Sequence, residues 1–287
     1  MFFDLIRKNT TRQEKKMEII SRTTTYKVDV LVGKTPDYNV YIVNVNSSEQ
    51  YLLKIAATSV HNGLLDREAF LLSDIHKEFE FRNAEHKARN KTDHGLGYQR
   101  CFPRLVESFV VPEQGQRRVN VIAIYGALSV KDLVPLEQYR TRASARIDPK
   151  SSAWIMGRLL KIFTLTHPMG VAAGKIDGGN ILTNPTEHHV VLFDWTRARY
   201  HDGALLRAIV SEEISQAAHA VILALGGNPA TGELPKSEQL PDSRYADYLK
   251  RMADGGVSDA VSAGAQFYEL LGTLWKPSFH PFTTIPM

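Results

Sequence analysis

Two oxygen-bearing side chains in this sequence have the types and the spacing for chemistry. Asn180 stands in Gly178-Gly179-Asn180-Ile181-Leu182, where a flexible turn delivers an amide onto a short apolar run. Asp194 closes a second apolar run, Val190-Val191-Leu192-Phe193. A run of that length between turn residues predicts a buried strand, so Asp194 emerges at a strand end. Asn184-Pro185 with the following Thr-Glu-His-His predicts a turn, making 180–183 and 190–193 a hairpin with Asn180 and Asp194 as neighbours. An amide oxygen beside a carboxylate suits a hard cation such as Mg²⁺, which takes few protein ligands and fills its other positions with phosphate and water. An ordinary hairpin with an aspartate at its edge has the same letters.

A second pair is two charges in unexpected surroundings. Lys54 interrupts the apolar strand pattern Tyr51-Leu52-Leu53-Lys54-Ile55-Ala56. Glu68 is the one carboxylate in the middle of the stripe Leu64, Leu65, Leu71, Leu72 and Ile75. An unpaired charge is costly to bury. One on a strand and one on the next helix are explained together if they meet.

The elements that position these residues follow from periodicity. Tyr26 to Ala57 reads as three strands separated by turns, and Phe102–Val111 with Arg118–Tyr125 as a hairpin across Pro112–Gln116. Residues 76–100 read as a solvated helix tail and a loop. From Ser151 the pattern turns helical, with Ile155, Leu159, Ile162, Phe163 and Thr166 on one face up to His167-Pro168. Ile209–Gly227 is a strongly apolar helix, 243–253 and 258–275 are further helices, and the proline-rich tail from Lys276 predicts an extended strap. Residues 1–20 predict a short amphipathic helix or an arm.

Composition narrows the class. With 287 residues, 43% of them hydrophobic and 23% charged, the chain has the make-up of a soluble globular protein. The net charge of +4 comes from scattered Lys and Arg without interleaved aromatics, which argues against nucleic acid as a partner. The single cysteine, Cys101, rules out an internal disulfide and fits a reducing compartment. No stretch approaches the roughly 20 apolar residues of a membrane span, and no leader pattern opens the chain. The expectation is a cytoplasmic protein with no membrane partner.

Taken together, these segments resemble the protein-kinase-like superfamily, in which a loop Asn and a strand-end Asp hold metal ions and a strand Lys pairs with a helix Glu. The resemblance covers roughly residues 26–275 and implies a two-lobed α+β fold. It divides the chain into an arm (1–20), a small antiparallel β lobe with one helix (21–125) and a larger, mainly helical lobe with an extended tail (126–287). It implies ATP and Mg²⁺ bound between the lobes: Gly33, Lys54 and Glu68 toward the phosphates, Ile124, Tyr125 and Ala127 along the adenine, Asn180 and Asp194 on the metal. Glu213 falls where the family has an Asp holding the catalytic-loop backbone. More narrowly, FPRLVESF, RRVNVIAI, NPTEHHVVLFDW and ELLGTLW resemble bacterial kinase-like proteins with a degenerate catalytic loop.

The departures from that family decide the functional expectation. Gly33 keeps the first glycine of the phosphate loop, but Thr35 and Tyr38 stand in place of the second and third, whose lack of a side chain lets amides approach phosphate. A P-loop reading of Gly33-Lys34-Thr35 fails because the glycine it requires five positions earlier is Val28. Counting back from Asn180, the catalytic-base position is Lys175 and the phosphate-lysine position is Asp177, so the two charges are exchanged. A cation in the base position cannot accept the substrate proton unless heavily desolvated. The expectation is a pseudokinase or very weak serine/threonine kinase acting as a nucleotide-binding, regulatory module with an unidentified protein partner or substrate. The alternative is an active phosphotransferase using Asp177 as base beside Lys175, on a protein or, since Asp194-Trp195 resembles aminoglycoside phosphotransferases, on a small molecule.

Overall fold

The computed structural model describes residues 17–46, 49–125, 130–236, 243–276 and 278–287. The chain separates into two units, Met1–Val134 and Pro135–Met287.

The first unit is built on one antiparallel sheet. Its strands are β1 (Glu18–Ile20), β2 (Thr25–Lys34), β3 (Tyr38–Asn44), β4 (Gln50–Ala56), β5 (Arg104–Val111) and β6 (Arg117–Ala123), in the order β1-β2-β3-β4-β6-β5. β-Branched and aromatic residues dominate these runs, and side chains on one face close a core of Ile19, Tyr26, Val43, Leu53, Ile55, Val111, Val119 and Val121. The 29-residue helix α1 (Asn62–Asn90) packs on β5 and β6, and Leu65, Glu68, Leu72 and Ile75 are among the residues it buries. Its last turns are solvated, and it stops at Lys91 in the left-handed conformation. Glu18–Ile20, read as part of a helix or arm, is instead a strand paired with Thr25–Lys27. The reason is Ile19, which is almost wholly buried in the sheet core.

A 3-10 turn (Val130–Asp132) and the short strand β7 (Val134–Pro135) lead across the division. The second unit is mainly helical: α2 (Glu137–Thr141), α3 (Pro149–Thr166), α4 (Arg207–Ala224), α5 (Arg244–Ala253) and α6 (Ala260–Leu274). α3 begins two residues before Ser151. Asp148 caps it, accepting from the Lys150 and Ser151 N–H groups, and Pro149 sits at the first helical position. α3 packs on α4 and α6, and α4 on α5.

Short strands complete the unit: β8 (Ala145–Ile147), β9 (Val171–Ala172), β10 (Ile181–Asn184), β11 (His189–Leu192), β12 (Arg199–Tyr200) and β13 (Thr284–Pro286). β10 and β11 form the predicted hairpin, with Ile181 opposite Leu192. β13 pairs with β8, so the tail lies along the unit as an extended strap. Together the units make a two-lobed α+β fold, one lobe an antiparallel sheet bearing one long helix, the other mainly helical. Among the described residues no helix is long and apolar enough to cross a membrane.

Candidate functional site

In the first unit, β4 and α1 bring Lys54 and Glu68 together. Lys54 Nζ lies 2.5 Å from Glu68 Oε1, and neither side chain is exposed to solvent. The second carboxylate oxygen, Oε2, accepts from Asn120 Nδ2 at 3.0 Å, and the same amide donates to the Leu65 carbonyl at 2.8 Å. Asn120 Oδ1 in turn accepts from Ser108 Oγ at 2.7 Å, and Ser108 from Arg118 Nη1 at 2.9 Å. A buried ion pair is tolerable only when its remaining lone pairs and protons are also satisfied, and β5 and β6 supply those partners. Asn120 was not singled out from the sequence, although an amide inside the apolar run VNVIAI carries the same signal as Lys54.

The β2–β3 turn lies over this pair. The Tyr38 ring centroid is 5.1 Å from Lys54 Nζ, and Tyr38 is 2% exposed. Thr35 closes the turn on itself. Its N–H and its Oγ1 both donate to the Tyr38 carbonyl at 2.9 Å, and Oγ1 accepts from the Asp37 and Tyr38 N–H groups at 3.2 and 3.0 Å. Pro36 has no N–H to offer. Asp37 is held further by the Ala57 N–H on its carbonyl at 2.8 Å and by His61 Nε2, 3.7 Å from its carboxylate. Gly33 is buried within β2, paired with Val40.

In the second unit, the segment from Gly174 to Asn180 is held from α4. Glu213 Oε1 accepts the Gly174 N–H at 2.7 Å, and Gln216 Oε1 accepts the Ile176 N–H at 3.1 Å. Glu213 thus grips the loop backbone where the sequence placed it. Its other oxygen lies 3.0 Å from His167 Nε2, a buried histidine stacked on Phe163. Gly174 has φ +74°, and a Cβ there would stand 2.5 Å from the Arg197 carbonyl oxygen, so only glycine fits. His167 and Gln216 were not picked out in the sequence, because neither carries a pattern that separates it from an ordinary helix residue.

Lys175 and Asp177 lie on the same side of this loop, Nζ 3.6 Å from Oδ2, with side chains 42% and 51% exposed. Asp177 is also tied inward: its Oδ1 accepts the Gly179 N–H at 3.0 Å and the Asn180 N–H at 2.9 Å, an Asx-type turn. α2 crosses close to Gly178 and Gly179. A Cβ on Gly178 would meet the Glu137 Cβ at 3.0 Å and its N at 3.1 Å.

Asn180 and Asp194 meet at the mouth of the β10–β11 hairpin. Asn180 Nδ2 donates to the Lys175 carbonyl at 2.7 Å and to the Asp194 carbonyl at 3.1 Å, while its Oδ1 accepts the Asp194 N–H at 2.5 Å. Asp194 Oδ1 accepts from both the N–H and the hydroxyl of Thr196, at 3.1 and 2.8 Å. Trp195 is wholly buried, its Nε1 donating to the Leu192 carbonyl at 2.8 Å. On the other side of β10, Thr183 bonds the Tyr139 hydroxyl at 2.9 Å. Burial pushes the Tyr139 phenol up to about 12, against a smaller opposing effect of the Thr183 hydrogen bond. Among the described residues no group of three or more His, Cys, Asp or Glu side chains is placed to hold a metal.

The residues expected along an adenine are only partly placed. Ile124 is buried and Tyr125 is 40% exposed, with the Arg100 guanidinium 5.8 Å from its ring centroid. Ala127 lies outside the described residues.

No family model matches the chain, and no curated protein matches it. Solved structures do. A structure of vaccinia related kinase 3 superposes at TM-score 0.61 with 12% identity, over 92% of this chain and 93% of that one. The BubR1 kinase domain superposes at TM-score 0.60 with 12% identity, over 92% and 85%. The PknI kinase domain of Mycobacterium tuberculosis gives 0.50 and 13%, over 87% and 95%. With the strand Lys, helix Glu, loop Asn and hairpin Asp in the arrangement described, these superpositions identify the fold of this chain as that of the protein kinases.

Proposed function

We propose that this chain is a kinase-fold nucleotide-binding module with little or no phosphoryl transfer, whose output is binding and regulation rather than turnover. The observation that carries this reading is the state of Asp177. The Asp177 carboxylate, two positions from the base position, is engaged by two backbone N–H groups and faces Lys175. Its Oδ1 is taken up by these two N–H groups, and the Lys175 ammonium stands beside Oδ2, the oxygen left to take a substrate proton. Lys175 itself, in the base position, is a donor only.

The donor set fits ATP with Mg²⁺ in its chemistry. Lys54 is a held ammonium for a phosphate, and Asp194, with Asn180 tied to its backbone, supplies hard oxygen of the type a divalent cation takes. Mg²⁺, when bound, neutralises phosphate charge. Glu68 fixes the Lys54 ammonium, and Glu213 and Gln216 fix the loop that carries Asn180.

ATP hydrolysis and autophosphorylation at saturating Mg–ATP test the reading, with Lys54→Ala as the blank. The expected wild-type rate equals the blank, and Asp177→Ala changes nothing. Wild-type turnover above the blank, falling about 10²–10⁴-fold in Asp177→Ala, overturns it in favour of an active phosphotransferase with Asp177 as base. Nucleotide binding is read separately, by thermal shift with ATP with and without Mg²⁺.

A further inference from the structure

We infer that the Thr35–Tyr38 turn is a built-in occupant of the phosphate position beside Lys54, and that ATP binds only when this turn opens. The inference rests on the nucleotide-binding reading above and names the residues that set its affinity. Three observations point to it, all within the first unit.

The first is occupancy of the ammonium. Lys54 is fully buried, and the Tyr38 ring lies against its ammonium at cation–π distance. A phosphate oxygen reaches an ammonium at roughly 2.8 Å, and to come that close to a fully buried ammonium already in contact with the ring it must compete with the ring for it. The second is a donor count. Over residues 35–38 the Thr35 N–H is given to the Tyr38 carbonyl, the Asp37 and Tyr38 N–H groups to Thr35 Oγ1, and Pro36 has none. A turn that binds phosphate does so with outward backbone N–H groups, and this one directs its own inward. The third is anchoring. Asp37 is held by the Ala57 N–H and by His61, and Tyr38 is paired with Ala56 in the β3–β4 ladder, so the turn is fixed at its β3 end.

Closure of this kind lowers apparent affinity by the fraction of molecules that are open. Opening must break the Thr35 hydrogen bonds and withdraw the Tyr38 ring from Lys54. Thr35 and Tyr38 are therefore gating residues.

Two variants of the full chain test this by calorimetric titration with ATP, with and without Mg²⁺. Tyr38→Gly removes the ring. Thr35→Gly with Pro36→Gly restores a donor and frees two N–H groups, while touching only exposed and half-exposed positions, so it keeps the core if Tyr38→Gly fails to fold. The expected result is ATP binding at least about tenfold tighter than wild type in each folded variant, with the gain removed by adding Lys54→Ala. Equal, Lys54-dependent affinity in wild type and variants overturns the gate and leaves the nucleotide-binding reading standing. A gain that survives Lys54→Ala also overturns the gate. No ATP binding by any folded variant overturns both.

Discussion

Asn180 and Asp194 are joined in both directions: the Asp194 N–H donates to Asn180 Oδ1 at 2.5 Å, and Asn180 Nδ2 donates back to the Asp194 carbonyl at 3.1 Å. With the further bond to the Lys175 carbonyl, one amide both closes the 174–180 loop and ties it to the strand end at Asp194. Asn180→Asp replaces a donor by an acceptor facing two carbonyl oxygens. Each buried group left unsatisfied costs about 1–3 kcal/mol, so urea unfolding should show a loss of about 2–4 kcal/mol. A loss below about 0.5 kcal/mol, the ordinary range for a surface change, would mean the amide is not the tie.

The buried Lys54–Glu68 pair makes an asymmetric prediction. Glu68→Ala takes the carboxylate from a buried ammonium and the acceptor from one of the two Asn120 side-chain N–H groups, costing about 3–5 kcal/mol. Lys54→Met with Glu68→Leu removes both charges at similar volume and should recover most of that loss. Equal losses in the single and double variants, by equilibrium denaturation, would show that packing rather than charge is at stake.

Gly174→Ala combines a left-handed backbone with a Cβ at 2.5 Å from the Arg197 carbonyl oxygen. The backbone conformation alone costs a non-glycine residue about 1–3 kcal/mol, and the contact forces the two chain segments apart. Thermal unfolding should move down by several degrees. Circular dichroism melts unchanged from wild type would show that the two segments part freely.

Alkaline pH should destabilise the fold through Tyr139. Its folded-state pKa is raised to about 12 from the ordinary 10.0, because burial favours the neutral phenol. A raised folded-state value contributes stability that is complete below about pH 10 and is lost as pH climbs toward about 12. Tyr26 and Tyr245 are shifted in the same direction, each chiefly by burial. Tyr139→Phe should therefore shallow the alkaline loss without abolishing it. Identical urea midpoints against pH for variant and wild type would remove Tyr139 from the account.

How much of this was legible in the sequence depended on whether a residue broke a pattern. Lys54 on an apolar strand and Glu68 in an apolar stripe were conspicuous, and burial cost alone brought them together. The β10–β11 hairpin followed from two apolar runs around Asn184-Pro185, which set Asn180 beside Asp194. Glu18–Ile20 was lost because three residues are too few for periodicity to register, and only the pairing with Thr25–Lys27 reveals them. Thr35 and Tyr38 were visible as missing glycines, but not as a turn that binds its own amides, since side-chain-to-backbone closure leaves no spacing signal. Lys175 and Asp177 could be placed on one side of a loop by their separation. That Asp177 spends its Oδ1 on Gly179 and Asn180 needed the turn's geometry.

The support of the 174–180 loop from α4 has a consequence for synthesis. The Gly174 and Ile176 N–H groups find their acceptors 39 and 40 residues downstream, on Glu213 and Gln216. A ribosome adding about 5–20 residues per second delivers the loop seconds before its anchors. During that interval the segment carrying Lys175, Asp177 and Asn180 has no scaffold from α4. Pausing translation between these two stretches would lengthen the wait for those anchors, whereas pausing after Gln216 clears the exit tunnel would not.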